Sequence, residues 1–142
     1  MHIRAAQRDE WPVCADIYVR SGRAAFGWVD PELFQAADIL AWAEQGEELY
    51  LALDAGRPLA MMSFWRSANF VHNLFVDPAA QGRGIGTALL EFAYAIADGR
   101  VTLKCDPRNE PTIRFYSRRG MIEVERGVGP RDDRPYILYR QP

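Results

Sequence analysis

The sequence predicts an α/β (α+β) fold, a mixed sheet of seven strands with helices packed on it, in the order β-α-α-β-β-β-α-β-α-β-β. Two observations carry the prediction. Apolar residues recur at helical spacing in some segments and fill short extended runs in the others. Glycine, proline and aspartate fall between those segments, where the chain must turn.

Residues 2–6 make a short strand. Asp9 is placed to cap a helix whose first turn accepts Pro12, since proline there forfeits no intrahelical hydrogen bond. Cys14, Ile17, Tyr18, Ser21 and Ala25 share one face of that helix. A second helix is expected from Pro31, with Leu33, Phe34, Ala37, Leu40 and Ala41 turned inward and Gly46 at its end. The period then changes. Residues 49–53, 58–65 and 69–76 read as three strands, the first two joined by a hairpin turn at Asp54-Ala55-Gly56-Arg57. Residues 83–97 return to helical spacing through Ile85, Leu89, Phe92 and Ile96. A strand over 101–105 and a short helix over 109–119, with Pro111 in its first turn, follow. Strands over 121–126 and 136–139 close the chain around a loop containing Gly127, Gly129, Pro130 and Pro135.

With 142 residues, the chain has the length of one domain, expected to span 1–142. Its composition, 49% hydrophobic and 25% charged, excludes the disordered and fibrous classes. Cys14 and Cys105 lie far apart without a C-x-x-C pair, so neither a zinc site nor a disulfide framework is indicated. No metal is expected, and the reducing cytoplasm is the expected compartment. A net charge of −2 argues against a nucleic-acid partner, which calls for a basic surface. Lys104 is the only lysine; every other basic side chain except two histidines is arginine. The first residues lack the apolar core of a signal peptide, and no apolar run approaches the ~20 residues of a membrane span, so no membrane partner is expected.

Residues 76–87 carry the strongest local signal: Val76-Asp77-Pro78-Ala79-Ala80-Gln81-Gly82-Arg83-Gly84-Ile85-Gly86-Thr87. A strand ends, a glycine-rich turn follows, and a helix opens at once. The first N–H groups of a helix lack internal partners, and the helix dipole adds roughly half a positive charge there. Such a segment suits a phosphate or pyrophosphate. It is no P-loop, because no Gly-Lys-Ser/Thr follows. Nor is it the dinucleotide fingerprint, because Thr87 stands where G-x-G-x-x-G requires its third glycine.

Gln81-Gly82-Arg83-Gly84-Ile85-Gly86 resembles the Q/R-x-x-G-x-G/A signature of the GCN5-related N-acetyltransferase (GNAT) superfamily. The leading His72-Asn73-Leu74-Phe75-Val76-Asp77-Pro78 is similar to that family's approach to the loop. A second segment, Asn109 to Met121, resembles its N-x-x-A-x-x-F-Y-x-x-x-G-F, with Thr112 in place of alanine and Met121 in place of the final phenylalanine. The order of elements matches over essentially the whole chain.

The resemblance implies a mostly antiparallel sheet splayed between the fourth and fifth strands, with acetyl-coenzyme A (acetyl-CoA) in the splay. It implies pyrophosphate binding by the backbone N–H groups of Gly82, Arg83, Gly84, Ile85, Gly86 and Thr87, beside Gln81. It implies pantetheine pairing with the main chain of Leu74 and Val76, and an oxyanion contact from the backbone near Leu74 or Phe75. The Arg83 side chain either joins a phosphate or is a solvated surface arginine. Asn109 either touches the pantetheine or caps the helix ahead of Pro111, and can do both.

The implied reaction transfers an acetyl group to a primary amine of a small-molecule or amino-acid-like acceptor. An amine with an ordinary pKa near 10.4 is neutral in about one molecule in a few thousand at pH 7, so a base near the acceptor matters. Alternation along 69–76 places Phe70, His72 and Leu74 on one face, and of these only His72 can take a proton. A chain of waters and a purely structural histidine are the alternatives. Tyr116 stands at the family's tyrosine position, facing the departing thiolate. Its ordinary pKa lies above a thiol's, so full proton transfer is uphill by roughly 2 kcal/mol and a hydrogen bond is the expected contribution. Phe26, Trp28 and Trp65 are candidates for an apolar acceptor wall, and Asp132 and Asp133 for attracting a cationic amine. Cys105 is expected to be a buried hydrophobe and not an acyl carrier. A non-catalytic acyl-CoA-binding module is the alternative function. A homodimer is compatible with the sequence without being specified by it.

Overall fold

Strands β1 (His2–Ala5), β2 (Glu48–Asp54), β3 (Arg57–Trp65), β4 (Phe70–Val76), β5 (Thr102–Cys105), β6 (Ile122–Val128) and β7 (Pro135–Arg140) form one sheet in the computed structural model, which describes residues 1–130 and 133–142. The order across the sheet is β1-β2-β3-β4-β5-β7-β6, and every neighbouring pair is antiparallel except β4 with β5. Helices α1 (Trp11–Ala25) and α2 (Ala36–Glu44) lie between β1 and β2 in the chain, α3 (Ile85–Ile96) follows β4, and α4 (Glu110–Arg118) follows β5. Among the described residues no helix is long and apolar enough to cross a membrane.

Each face of the sheet buries its own core. Met62, Phe64, Val71 and Leu103 pack beneath α3, whose Leu89, Leu90 and Ala93 face them. On the other side Leu49, Leu51 and Met61 meet Ile17 and Tyr18 of α1 and Ile39 of α2. Burying one such side chain contributes about 1.5–3 kcal/mol, so the two layers together fix the sheet against the helices.

The helix starts differ from the sequence expectation. Asp9 lies inside a short 3₁₀ turn, Arg8–Glu10, and α1 begins at Trp11, with Glu10 bonding back to the Gln7 N–H at 2.9 Å. Ala25 is exposed; Ala15 and Gly22 are buried instead, the ring of Phe34 crossing the space a side chain at Gly22 would need. Pro31 opens only a 3₁₀ turn. Phe34 then adopts an extended backbone that sends its ring into the core, and α2 starts at Ala36. That restart resets the helical phase, so Ile39 and Ala43 face inward while Leu33, Ala37 and Ala41 are exposed. At the other end of the chain β6 continues through Gly127 and β7 begins at Pro135, leaving a shorter loop than expected.

Two irregularities in the sheet position the site. Between β3 and β4 the register moves from Ser63 opposite Asn73 to Phe64 opposite Val71, so His72 is an extra residue, a β-bulge. The bulge overturns the expected alternation. Leu74 packs toward α3, while the His72 ring lies on the other face against Trp42 of α2. The second irregularity is the parting of β4 and β5. They pair only at Phe70 with Thr102 and Val71 with Leu103. Beyond Val71 the strands separate, and the β5-facing edge of residues 72–76 pairs with no strand among the described residues.

Candidate active site

A cleft of about 850 Å³ opens where β4 and β5 separate. It runs from the start of α3, past the open edge of β4, to the faces of α1 and α2 and the loop between β6 and β7. The sequence-predicted residues His72, Leu74, Phe75, Val76, Gln81, Gly82, Gly84, Ile85, Gly86, Thr87, Asn109 and Tyr116 all line it.

One end is built for an anion. Gly82 and Gly84 hold φ of +78° and +77°, a left-handed backbone that glycine adopts without the clash a Cβ brings. Their turn aims the start of α3 into the cleft, and no side chain among the described residues caps that helix. The Gln81 Nε2 donates to the Val76 carbonyl at 2.9 Å, tying the loop to the end of β4. Arg83 does not line the cleft; its guanidinium donates to Asp54 at 3.0 Å. The cation at this end is Arg119, which the sequence reading missed although it lies within the second motif. Its Nε donates to the Thr87 hydroxyl at 2.9 Å, Nη1 donates to the Phe115 carbonyl at 2.9 Å, and its plane lies 3.7 Å from the centre of the Phe115 ring. The uncapped helix, the open strand edge and this arginine fit a pyrophosphate carried by an extended, amide-bearing arm.

Asn109 caps α4, its side-chain oxygen accepting from the Thr112 N–H at 3.3 Å, and it also borders the cleft. Tyr116 is buried, and its hydroxyl has no hydrogen-bond partner among the described residues. Burial pushes its pKa up further, with Cys105, Tyr94 and Tyr139 adding to the effect, so it stays a protonated donor. Burial likewise pushes the Cys105 thiol up to about 11, helped by Asp106, which leaves it without nucleophilic thiolate near neutral pH.

The other end holds a pair that the sequence did not reveal. His72 Nδ1 lies 2.8 Å from Oε1 of Glu47, whose side chain is only 4% exposed, while the His72 side chain is 36% exposed to the cleft. A carboxylate only accepts, so it fixes the proton on Nδ1 and leaves Nε2 as the free base of the neutral ring. Trp42 holds the ring, their centroids 4.4 Å apart. Glu47 sits between α2 and β2 with no motif around it, and only the fold brings it to His72.

Phe26, Phe34, Phe75 and Tyr18 form an interlocked aromatic wall. Trp28 backs it through Phe26 at 5.5 Å and donates to Asp106 at 3.3 Å, but Trp65 lies at the far end of β3, away from the cleft. Trp42 takes the place expected of it. Asp133 is exposed and outside the cleft lining, and Asp132 lies outside the described residues. Among the described residues no cluster of three or more His, Cys, Asp or Glu side chains is placed to hold a metal ion.

A mixed, mostly antiparallel sheet whose one parallel pair parts over an uncapped helix start defines a class of acyl-CoA-dependent acyltransferases. The model of the acetyltransferase (GNAT) family matches residues 7–121, and the chain belongs to that family of N-acetyltransferases, whose cosubstrate is acetyl-CoA. It is 48% identical over 59 residues to the uncharacterized N-acetyltransferase MJ1207 of Methanocaldococcus jannaschii, covering 39% of this chain and 26% of that protein. It is 28% identical over 136 residues to the peptidyl-lysine N-acetyltransferase YiaC of Escherichia coli, covering 87% of this chain and 84% of that one. The chain therefore spans about a quarter of the length of the first relative and most of the second. Its fold is that of apo YjaB from Escherichia coli, with a TM-score of 0.79 at 22% identity over 98% of this chain and 95% of that one. It is also that of yncA from Salmonella typhimurium, solved with its cofactor acetyl-CoA, with a TM-score of 0.66 at 22% identity over 99% and 92% of the two chains.

Proposed function

We propose that this protein transfers the acetyl group of acetyl-CoA to the primary amine of a small or amino-acid-like acceptor by direct attack on the thioester. The observation that carries the reading is the cleft itself, with an uncapped helix start at one end and the Glu47–His72 pair at the other. The N–H groups at the start of α3, with Arg119, bind the pyrophosphate. The pantetheine arm lies along the open edge of Leu74 and Val76, next to Asn109. Val76's carbonyl already accepts from Gln81, so the strand end is held rigid for that contact.

His72 Nε2 takes the proton of the ammonium acceptor, directly or through a water, and the freed lone pair attacks the thioester carbon. Glu47 holds the ring in the tautomer this needs and stabilises the imidazolium that forms. A backbone N–H near Leu74 or Phe75 receives the developing oxyanion. When the C–S bond breaks, the Tyr116 hydroxyl donates a hydrogen bond to the thiolate. Its raised pKa keeps that proton on the tyrosine, so the thiolate takes its final proton from solvent or the imidazolium.

The test is a thermal-shift titration with acetyl-CoA, free CoA and NAD, then a thiol-release assay over a panel of amines. A ligand at 100 times its dissociation constant adds about 2.7 kcal/mol, on the order of 10 °C in Tm for a chain this long. Stabilisation by acetyl-CoA with amine-dependent thiol release supports the reading. Stabilisation with no turnover supports the non-catalytic binding module instead, and stabilisation by NAD alone overturns both.

A further inference from the structure

The acceptor end of the cleft is electrically polarised. On the α2 side stand Asp38, one turn from Trp42 and without an ion-pair partner among the described residues, and Glu47, engaged with His72. On the β5 and β7 side stand Lys104 and Arg134. Asp106 lies on that side too, but its charge is already met by Arg108 at 2.7 Å, with Trp28 and Arg134 near it.

Lys104 is the decisive residue. Val71 and Leu103 are the last paired residues of β4 and β5, and both are buried beneath α3. The next residue on each strand is His72 and Lys104. Both therefore leave the sheet on the opposite face, at the point where the two strands begin to part. The ring contacts agree, His72 lying on Trp42 and the Lys104 ammonium lying 4.2 Å from the centre of the Tyr136 ring. Lys104 is exposed, and no carboxylate among the described residues pairs with it. The chain's only lysine is thus a cation seated on an aromatic ring, without a carboxylate partner among the described residues, in the same cleft as the proposed base.

We infer that the acceptor is an α-amino acid, its amine presented to His72 and its carboxylate held by Lys104. The inference rests on the acetyltransferase reading above. In an α-amino acid one carbon separates amine and carboxylate, which matches a base and a cation on adjacent strand positions. The aromatic wall of Phe26, Phe34 and Phe75 offers the side chain an apolar seat. A polyamine or a lysine-rich peptide would bring further positive charge against Lys104, so such acceptors are disfavoured.

The experiment compares amino acids with their decarboxylated counterparts: phenylalanine with phenethylamine, leucine with isoamylamine, and lysine with cadaverine, beside a lysine-containing peptide. Thiol release is followed with the full chain at saturating acetyl-CoA. A charge-assisted hydrogen bond predicts that kcat/KM favours at least one amino acid over its amine by roughly tenfold or more. Lys104→Gln narrows that ratio mainly by raising the KM of the amino acid, with kcat changing less, and Lys104→Arg restores part of it. An amine or the peptide used as well as every amino acid overturns the proposal. So does a preference that survives Lys104→Gln. Acetylation of Lys104 itself, read by intact mass without any acceptor, also overturns it, by making that side chain a substrate. If acetyl-CoA binds and no amino acid is turned over, the acceptor assignment fails while the cofactor reading stands; if acetyl-CoA does not bind, the acetyltransferase reading itself fails.

Discussion

His72 Nδ1 and Glu47 Oε1 lie 2.8 Å apart, joining a bulge in β4 to the segment between α2 and β2. The histidine faces the cleft and the carboxylate is shut away from solvent behind it. His72→Gln removes the base and lowers kcat by about 10²–10⁴-fold. Glu47→Gln keeps a hydrogen-bonding group but loses the charge, and lowers kcat by about tenfold. The two effects do not add, because both act on one proton transfer. Steady-state thiol release checks this, with an unchanged KM for acetyl-CoA separating lost chemistry from lost binding.

At the opposite end of the cleft, cofactor affinity is expected to come from Arg119 and not from Arg83. Arg119→Gln raises the KM for acetyl-CoA by roughly tenfold to a hundredfold, the range of a charge-assisted hydrogen bond. Arg83→Gln leaves it near the wild-type value, because that side chain is paired with Asp54 outside the cleft.

Tyr116→Phe separates catalysis from folding. The hydroxyl bonds to nothing among the described residues, so its removal changes stability by no more than about 0.5 kcal/mol. Losing the donor to the thiolate lowers kcat by roughly tenfold or more. A variant with unaltered Tm and reduced kcat is the expected outcome; equal loss of both marks Tyr116 as core alone.

The loop of Gly82 and Gly84, the second motif and the order of elements were legible because each is local: glycine, proline and apolar period act on their own neighbours. What was not legible depends on contacts between distant segments. The bulge at His72 cannot be seen without the β3 register, and it moves the histidine off the face that Leu74 occupies. Glu47 stands in no pattern. Trp65 stands at the end of β3, away from the cleft, and Trp42 enters the cleft from α2, which starts afresh at Ala36 after Phe34. The sequence puts Arg83 forward for the phosphate, but Asp54 holds it outside the cleft, whereas Thr87 and the Phe115 carbonyl hold Arg119 at the helix start.

The cysteines predict an alkaline limit. Burial raises Cys14 from an ordinary 9.0 to about 12 and Cys105 from 9.0 to about 11. Both thiols are neutral when folded, so their contribution is fully present below pH 9. It is lost as pH rises through 9 toward 11 and 12, where the unfolded chain ionises first. Chemical denaturation across that range should show stability falling. At pH 8 roughly one Cys105 in a thousand is thiolate, so iodoacetamide labels the folded protein far more slowly than the unfolded one. Cys105→Ser leaves acetyl transfer intact if the acetyl group passes directly to the amine.

Acetyl-CoA is expected to occupy the gap where β4 and β5 part. Amide hydrogen exchange, with and without saturating acetyl-CoA, reads that location residue by residue. New protection is expected along residues 72–76, at 82–87 and around Asn109, with the distant strand β1 unchanged. Protection confined to other segments, or no change at a concentration that saturates binding, would contradict it.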